Sequence, residues 1–152
     1  MISHHFIIFD AIRKYDYGLY LFFSKMNEVS EDVVLVMVGH GSLLPYGKEM
    51  LNSFCDMMRK RNLFPRVETS FLQKNDPLLE DVLKGLVSDG VKTAIILPVF
   101  LANGVHTTKD IPSVLDKITK DSDLKIIYAE PLGADERIVD ILVDRAKEAL
   151  GT

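Results

Sequence analysis

Tryptophan is absent from these 152 residues, cysteine occurs once and histidine four times. A single cysteine, Cys55, excludes an internal disulfide framework and any metal site built from cysteine alone. It fits a reducing compartment, so a cytoplasmic location is expected. No apolar run approaches the ~20 residues that a membrane span needs, since FIIF and LYLFF near the start are both short. Neither sign of charge dominates. The 18 Lys and Arg against 22 Asp and Glu leave a net charge of −4, which points to neither nucleic acid nor an anionic membrane as partner.

What is present is an ordinary globular composition, 47% hydrophobic and 26% charged, in a chain long enough to bury one core and too short for two. Residues 1–25, MISHHFIIFDAIRKYDYGLYLFFSK, differ from the rest in their richness in Phe, Tyr and Ile. Asp10, Arg13, Lys14 and Asp16 interrupt them, and no small-residue cleavage site follows, so a signal peptide is not expected. Met26 opens MNEVSEDVV directly before the first strong strand. The expectation is an N-terminal extension, either preceding a native start at Met26 or forming an extra helix, and a single domain over 26–152. His4 and His5 are adjacent in that extension and are given little weight as ligands.

From Val33 the chain alternates strand and helix. Strands are predicted at 33–38, 66–72, 92–100 and 124–129. The first helix, 46–61, places Met50, Leu51, Phe54, Met57 and Met58 on one apolar face with Cys55 among them, and Asn62 and Pro65 end it. Asp76 before Pro77 reads as an N-cap opening a second helix that Gly90 closes. A third spans 111–120, started by Asp110 and Ile111 before Pro112, and a fourth runs from about 134 to 150 with Ile138, Ile141, Leu142, Arg145 and Ala149 at helical spacing. Such alternation implies right-handed βαβ units, hence an α/β fold in three layers with a four-stranded, mainly parallel sheet and helices on both faces. In sheets of this kind ligands bind at the C-terminal ends of the strands.

Both remaining histidines fall at that edge. His40 stands between glycines after VVLVMV, and His106 follows PVFLANGV. Glycine lets the backbone turn sharply and approach a ligand closely, although a histidine in such a turn can also simply cap the next helix. Two neutral imidazoles can bind Co(II), Ni(II), Fe(II) or Zn(II), or one can hold a metal while the other moves a proton. With no further Cys or His to complete four ligands, an open or transient metal site is favoured over a closed structural one. Ser42, Thr107, Thr108 and Lys109 precede helices, where hydroxyls and free N–H groups could face an anionic ligand or merely cap the helices. Pro98 marks a bulge or strand end near the site.

GHGSLLPYGKE at 39–49, PVFLANGVHTTKDIP at 98–112 and AEPLGADERIVDILVDRA at 129–146 together resemble the small class II chelatases, the short sirohydrochlorin cobalt or nickel chelatases of archaea. The similarity covers about 33–149 in order and spacing. It implies a half-length chelatase domain that pairs as a homodimer, with the active site in the cleft between subunits. It also implies insertion of a divalent metal into sirohydrochlorin, a tetrapyrrole with eight carboxylates, with release of two protons, in nickel tetrapyrrole coenzyme (methanogenesis) or cobalamin biosynthesis. Iron insertion for siroheme ranks behind. By the resemblance His40 and His106 are the catalytic and metal-binding residues. Ser42, Leu43, Tyr46, Leu101, Ala102, Asn103, Gly104, Val105 and Thr107 contact the substrate. The metal is a substrate, and no tightly bound cofactor is expected.

One departure stands out: many relatives have a glutamate about where this chain has Gln73, whose amide can be neither base nor anionic ligand. Either that third carboxylate is dispensable, or Glu68 or another nearby acid substitutes for it. Ligating imidazoles must be neutral, so activity should fall with acidification through the ordinary histidine range, about 6 to 7. A non-catalytic metal or tetrapyrrole carrier is the rival reading. Phosphoryl transfer through a phosphohistidine is disfavoured, because neither histidine loop contains an arginine to bind phosphate.

Overall fold

The computed structural model describes residues 29–151. The expectations for 1–25, His4, His5 and Met26 lie outside the described residues. Strands β1 (Val33–Gly39), β2 (Arg66–Phe71), β3 (Thr93–Pro98) and β4 (Lys125–Tyr128) form one sheet in the order β2-β1-β3-β4, with every pairing parallel. Helices α1 (Tyr46–Lys60), α2 (Leu79–Ser88), α3 (Ile111–Lys120) and α4 (Glu136–Leu150) follow the strands in turn. β1 is central and covered on both faces, which is why its sequence is an unbroken apolar run.

Alternate residues of the strands serve different layers. Val34, Val36, Val38, Ala94 and Ile96 pack with Leu79, Leu83 and Leu86 of α2 and Ile111, Leu115 and Ile118 of α3. Leu35, Met37, Val67 and Phe71 pack beneath Leu51 and Cys55 of α1. Cys55 is a core residue as expected, and burial pushes its thiol pKa up.

Two expectations are corrected, and one helix forms where its spacing places it but packs less than the others. α2 starts at Leu79 rather than at Asp76-Pro77, and Asp76 does not cap it. The Pro77 carbonyl instead accepts from Phe71 N–H and Leu78 bridges Phe71, so this segment extends the edge of β2 before the helix begins. In α1 the row that reaches the sheet is Leu51, Cys55 and Met58, while Met50, Phe54 and Met57, one position back in each turn, are exposed. Lastly, α4 buries none of its residues, and Ile141 and Leu142 are 55% and 61% exposed.

Among the described residues the second face of the sheet is therefore only half covered. Over β3 and β4 the side chains of Ile95 and Leu97 are half-buried and Ile127 is exposed. Within residues 29–151 an amphipathic helix and an apolar quadrant of sheet thus stand unmatched. The linker that leads into α4 is held instead to the loop after β3, with Leu132 N–H donating to Phe100 O and Gly133 N–H to Leu101 O.

Candidate functional site

The chain leaves β1 toward β2 on one side and enters β3 on the other, so the direction of winding reverses between β1 and β3. A crevice opens at such a point, outside the strand ends. His40 follows β1 directly, and His106 begins a turn after β3. Their ring centroids lie 4.4 Å apart with planes inclined at 61°. The two histidines that the sequence placed on one rim are neighbours.

Each ring has a partner that settles its tautomer. His40 Nδ1 is 2.8 Å from Gly41 O, a carbonyl that can only accept, so Nδ1 bears the proton. His106 Nδ1 is 2.6 Å from the Asp110 carboxylate and bears its proton for the same reason. In a neutral ring so held the lone pair is on Nε2, the form in which imidazole binds a transition metal. The two rings differ in one respect, because Gln73 Nε2–H donates to His40 Nε2 at 3.0 Å.

Gly41 explains how Gln73 reaches His40. Its φ is +87°, and the Gln73 backbone passes so close that only a residue without Cβ fits. Gln73 N–H donates to His40 O, and Asn75 Oδ1 accepts from Ser42 N–H, so the loop after β2 is laced to the loop after β1. Gly39 is tight in a different way, since a Cβ there would meet Leu51 Cδ2 at 2.9 Å and the Phe71 ring at 3.4 Å, so the Leu51 side chain would have to shift. Glu68 does not substitute for the missing carboxylate: it lies opposite Val36 in mid-strand, with Oε1 2.7 Å from Arg66 Nε.

The His106 loop is held from below. Thr107 is buried, its Oγ1 accepting from Gly104 N–H and bonding to Asn103 Oδ1, while Tyr128 O–H donates to Thr107 O at 2.8 Å. Thr108 Oγ1 donates to Gly104 O. Two roles are open to Thr107 and Thr108, and both hydroxyls bond within the loop. Ser42 Oγ accepts from Leu44 N–H and keeps its own proton to donate. Pro98 ends β3, and Val99 N–H continues to Val38 O.

Around the rings the surface is apolar. Leu43, Tyr46, Leu101 and Val105 are exposed, as are Ala102, Asn103 and Gly104 between them. Next to His40 a pocket of about 200 Å³ opens between Gly39, Gly47, Met50, Phe71, Val99 and Phe100. Among the described residues no group of three or more His, Cys, Asp or Glu lies together so as to hold a metal ion. The expectation missed Asp110 as a partner of His106 and Asn75 as a support of Ser42; the four-residue spacing of His106 and Asp110 was the available signal for the first.

Fold and site define an open α/β domain with paired imidazoles at its switch point. The family model CbiX matches residues 34–149, and the chain belongs to this family. A sirohydrochlorin cobaltochelatase of Methanocaldococcus jannaschii is 41% identical, the match covering 74% of this chain and 96% of that one. A protein of the same name from Methanopyrus kandleri is 38% identical over 78% of this chain and 98% of its own. Among solved structures, the sirohydrochlorin chelatase SirB of Bacillus subtilis subspecies spizizenii, in complex with cobalt, superposes with a TM-score of 0.71 at 26% identity. That match spans 76% of this chain and 50% of SirB, so the present chain corresponds to half of that longer protein.

Proposed function

We propose that this chain inserts Co(II) into sirohydrochlorin, with Ni(II) as a second metal substrate and iron behind them. The observation that carries the reading is the His40–His106 pair, ring centroids 4.4 Å apart, each ring with its Nδ1 against an oxygen acceptor. Membership of the CbiX family and the names of the methanogen relatives support it.

The chemistry follows from the donors. Two imidazole Nε2 atoms hold a borderline divalent ion firmly enough to strip part of its hydration and loosely enough to release it. Replacing two N–H protons of the macrocycle by a divalent ion releases two protons. An imidazole that has handed over its metal is then free to accept one of them. The exposed apolar side chains Leu43, Tyr46, Leu101 and Val105 offer a surface for the flat face of the ring, with Ala102, Asn103 and Gly104 completing the loop. Ser42 O–H and the exposed Lys109 are the groups proposed for peripheral carboxylates. Thr107 serves the site by fixing the His106 loop.

The working unit is proposed to be a homodimer with the site in the cleft between subunits. A pocket of about 200 Å³ takes one edge of a tetrapyrrole, so a second wall is required. An α4 without a buried residue and an uncovered sheet quadrant at Ile127 give two copies a way to supply it, each placing α4 on the other. Among the described residues no helix is long and apolar enough to cross a membrane.

The test is the absorbance of sirohydrochlorin mixed with Co(II) or Ni(II) and catalytic amounts of protein, beside His40→Ala and His106→Ala. Many equivalents metallated by the wild type, with both variants slowed by 100-fold or more (roughly 10²–10⁴ for such groups), is the expected result. Binding of the tetrapyrrole with metallation no faster than in buffer would make the protein a carrier instead.

A further inference from the structure

The two histidines are not equivalent. His40 Nε2 already accepts the Gln73 amide, whereas the contact that fixes His106 is at Nδ1, on the far side of its ring from the lone pair. That contact is with a carboxylate, the shorter of the two Nδ1 contacts at 2.6 Å against 2.8 Å to the Gly41 carbonyl. A carboxylate behind a ligating imidazole fixes its tautomer and its orientation and raises its basicity as a donor.

The backbone is shaped for this pairing. Residues His106–Asp110 form a single turn of π-helix, closed by Ile111 N–H donating to His106 O, before α3 begins. Such wide turns are uncommon and recur at functional sites. Asp110 closes that turn in helical backbone, φ −69° and ψ −50°, so the chain passes into α3 without a break. Its side chain makes no capping bond, and its carboxylate goes to His106, one wide turn back.

We infer that Asp110 is a positioning residue that makes His106 the entry ligand for the metal, His40 joining only when the ion displaces the Gln73 amide. The inference rests on the reading of the two histidines as the metal-delivering pair and adds an order of engagement to it. The incoming ion meets an oriented, unengaged lone pair on His106 and a hydrogen-bonded one on His40. Asp110 acts through His106 and does not itself touch the ion. The chain thus divides one site into a docking ligand and a gated one.

Calorimetric titration of Co(II) into the full chain, without tetrapyrrole, tests this directly. Asp110→Asn, which keeps the side-chain shape and removes the charge, is expected to weaken Co(II) binding about 10- to 100-fold. In turnover it should raise KM for Co(II) while KM for sirohydrochlorin stays constant. His106→Ala should abolish metal binding, and His40→Ala should weaken it while retaining measurable binding through His106. If His106→Ala abolishes binding but Asp110→Asn leaves Kd and KM unchanged, Asp110 has no such role and the metal site stands without it. If His40→Ala is as damaging as His106→Ala, the order of engagement is wrong. If neither histidine variant changes Co(II) binding, the underlying site reading fails and this inference with it. Should Asp110→Asn not fold, nitrogen-15 spectra of the wild-type imidazoles decide: His106 is expected with Nδ1 protonated, and a proton on Nε2 would overturn the proposal.

Discussion

A Cβ at Gly41 would run into the carbonyl oxygen of Gln73 and lie 2.8 Å from its carbon. Backbone, not a flexible side chain, occupies that space. Gly41→Ala therefore has to separate the two loops as well as force alanine to a φ of +87°. The conformational term alone costs about 1–2 kcal/mol, and the displaced Gln73 loop adds to it. Urea unfolding should show a loss of at least about 2 kcal/mol, and metallation should fall further than stability does because His40 moves with the loop. A variant as stable and active as the wild type would show that the loops part freely.

The unmatched surfaces of α4 and the sheet predict an assembly state. Sedimentation of the wild type should give the mass of two chains, and Leu142→Asp, which puts a charge on the apolar side of α4, should give one. Chelatase activity should fall with the dimer, by more than 10-fold when both subunits wall the cleft, taking about 1.4 kcal/mol per decade. A wild type that sediments as one chain while fully active would remove the shared cleft from the proposal.

Most of this architecture was legible beforehand, for reasons that differ by element. The short unbroken VVLVMV, bounded by glycine, reads as a strand covered on both faces, and the strand–helix alternation that follows it implies parallel pairing, so the shared rim of His40 and His106 followed from pattern and topology. Helix registers were less accessible. Met50, Leu51, Phe54, Met57 and Met58 are equally apolar, and only the position of the sheet decides that Leu51 and Met58 point inward while Met50 and Met57 face solvent. Asp76-Pro77 has the chemistry of a helix start, but the nearby edge of β2 competes for the Pro77 carbonyl and wins. Asp110 was hidden by a similar competition: cap and carboxylate partner are the same side chain, and distance alone shows which it serves.

Acid should loosen the contact between α2 and α3. Lys117 Nζ and Lys84 Nζ both lie 2.7 Å from Glu80 Oε1, and their hydrogen bonds, that of Lys117 first, hold the Glu80 carboxyl down at about 2. A folded-state value below the ordinary 4.5 means that the stabilisation is complete above about 4.5 and is lost as the pH falls toward 2. The group reaches solvent, so the effect is small. Comparing urea midpoints of wild type and Glu80→Gln should show a difference at pH 6 that has narrowed at pH 3 and closes near 2; a constant difference would mean that the lysines do not bind the charged form.

Gln73 has a consequence on another timescale. Glutamine and glutamate codons differ by one base, and the side chain at this position ends 3.0 Å from the His40 nitrogen that would hold the metal. A single point mutation therefore exchanges a neutral cap for a third, anionic ligand while the loop geometry set by Gly41 stays in place. A lineage with this scaffold can retune how tightly, and for which ion, it grips its cargo without disturbing the core, and can reverse the change as readily when the metals in its surroundings shift.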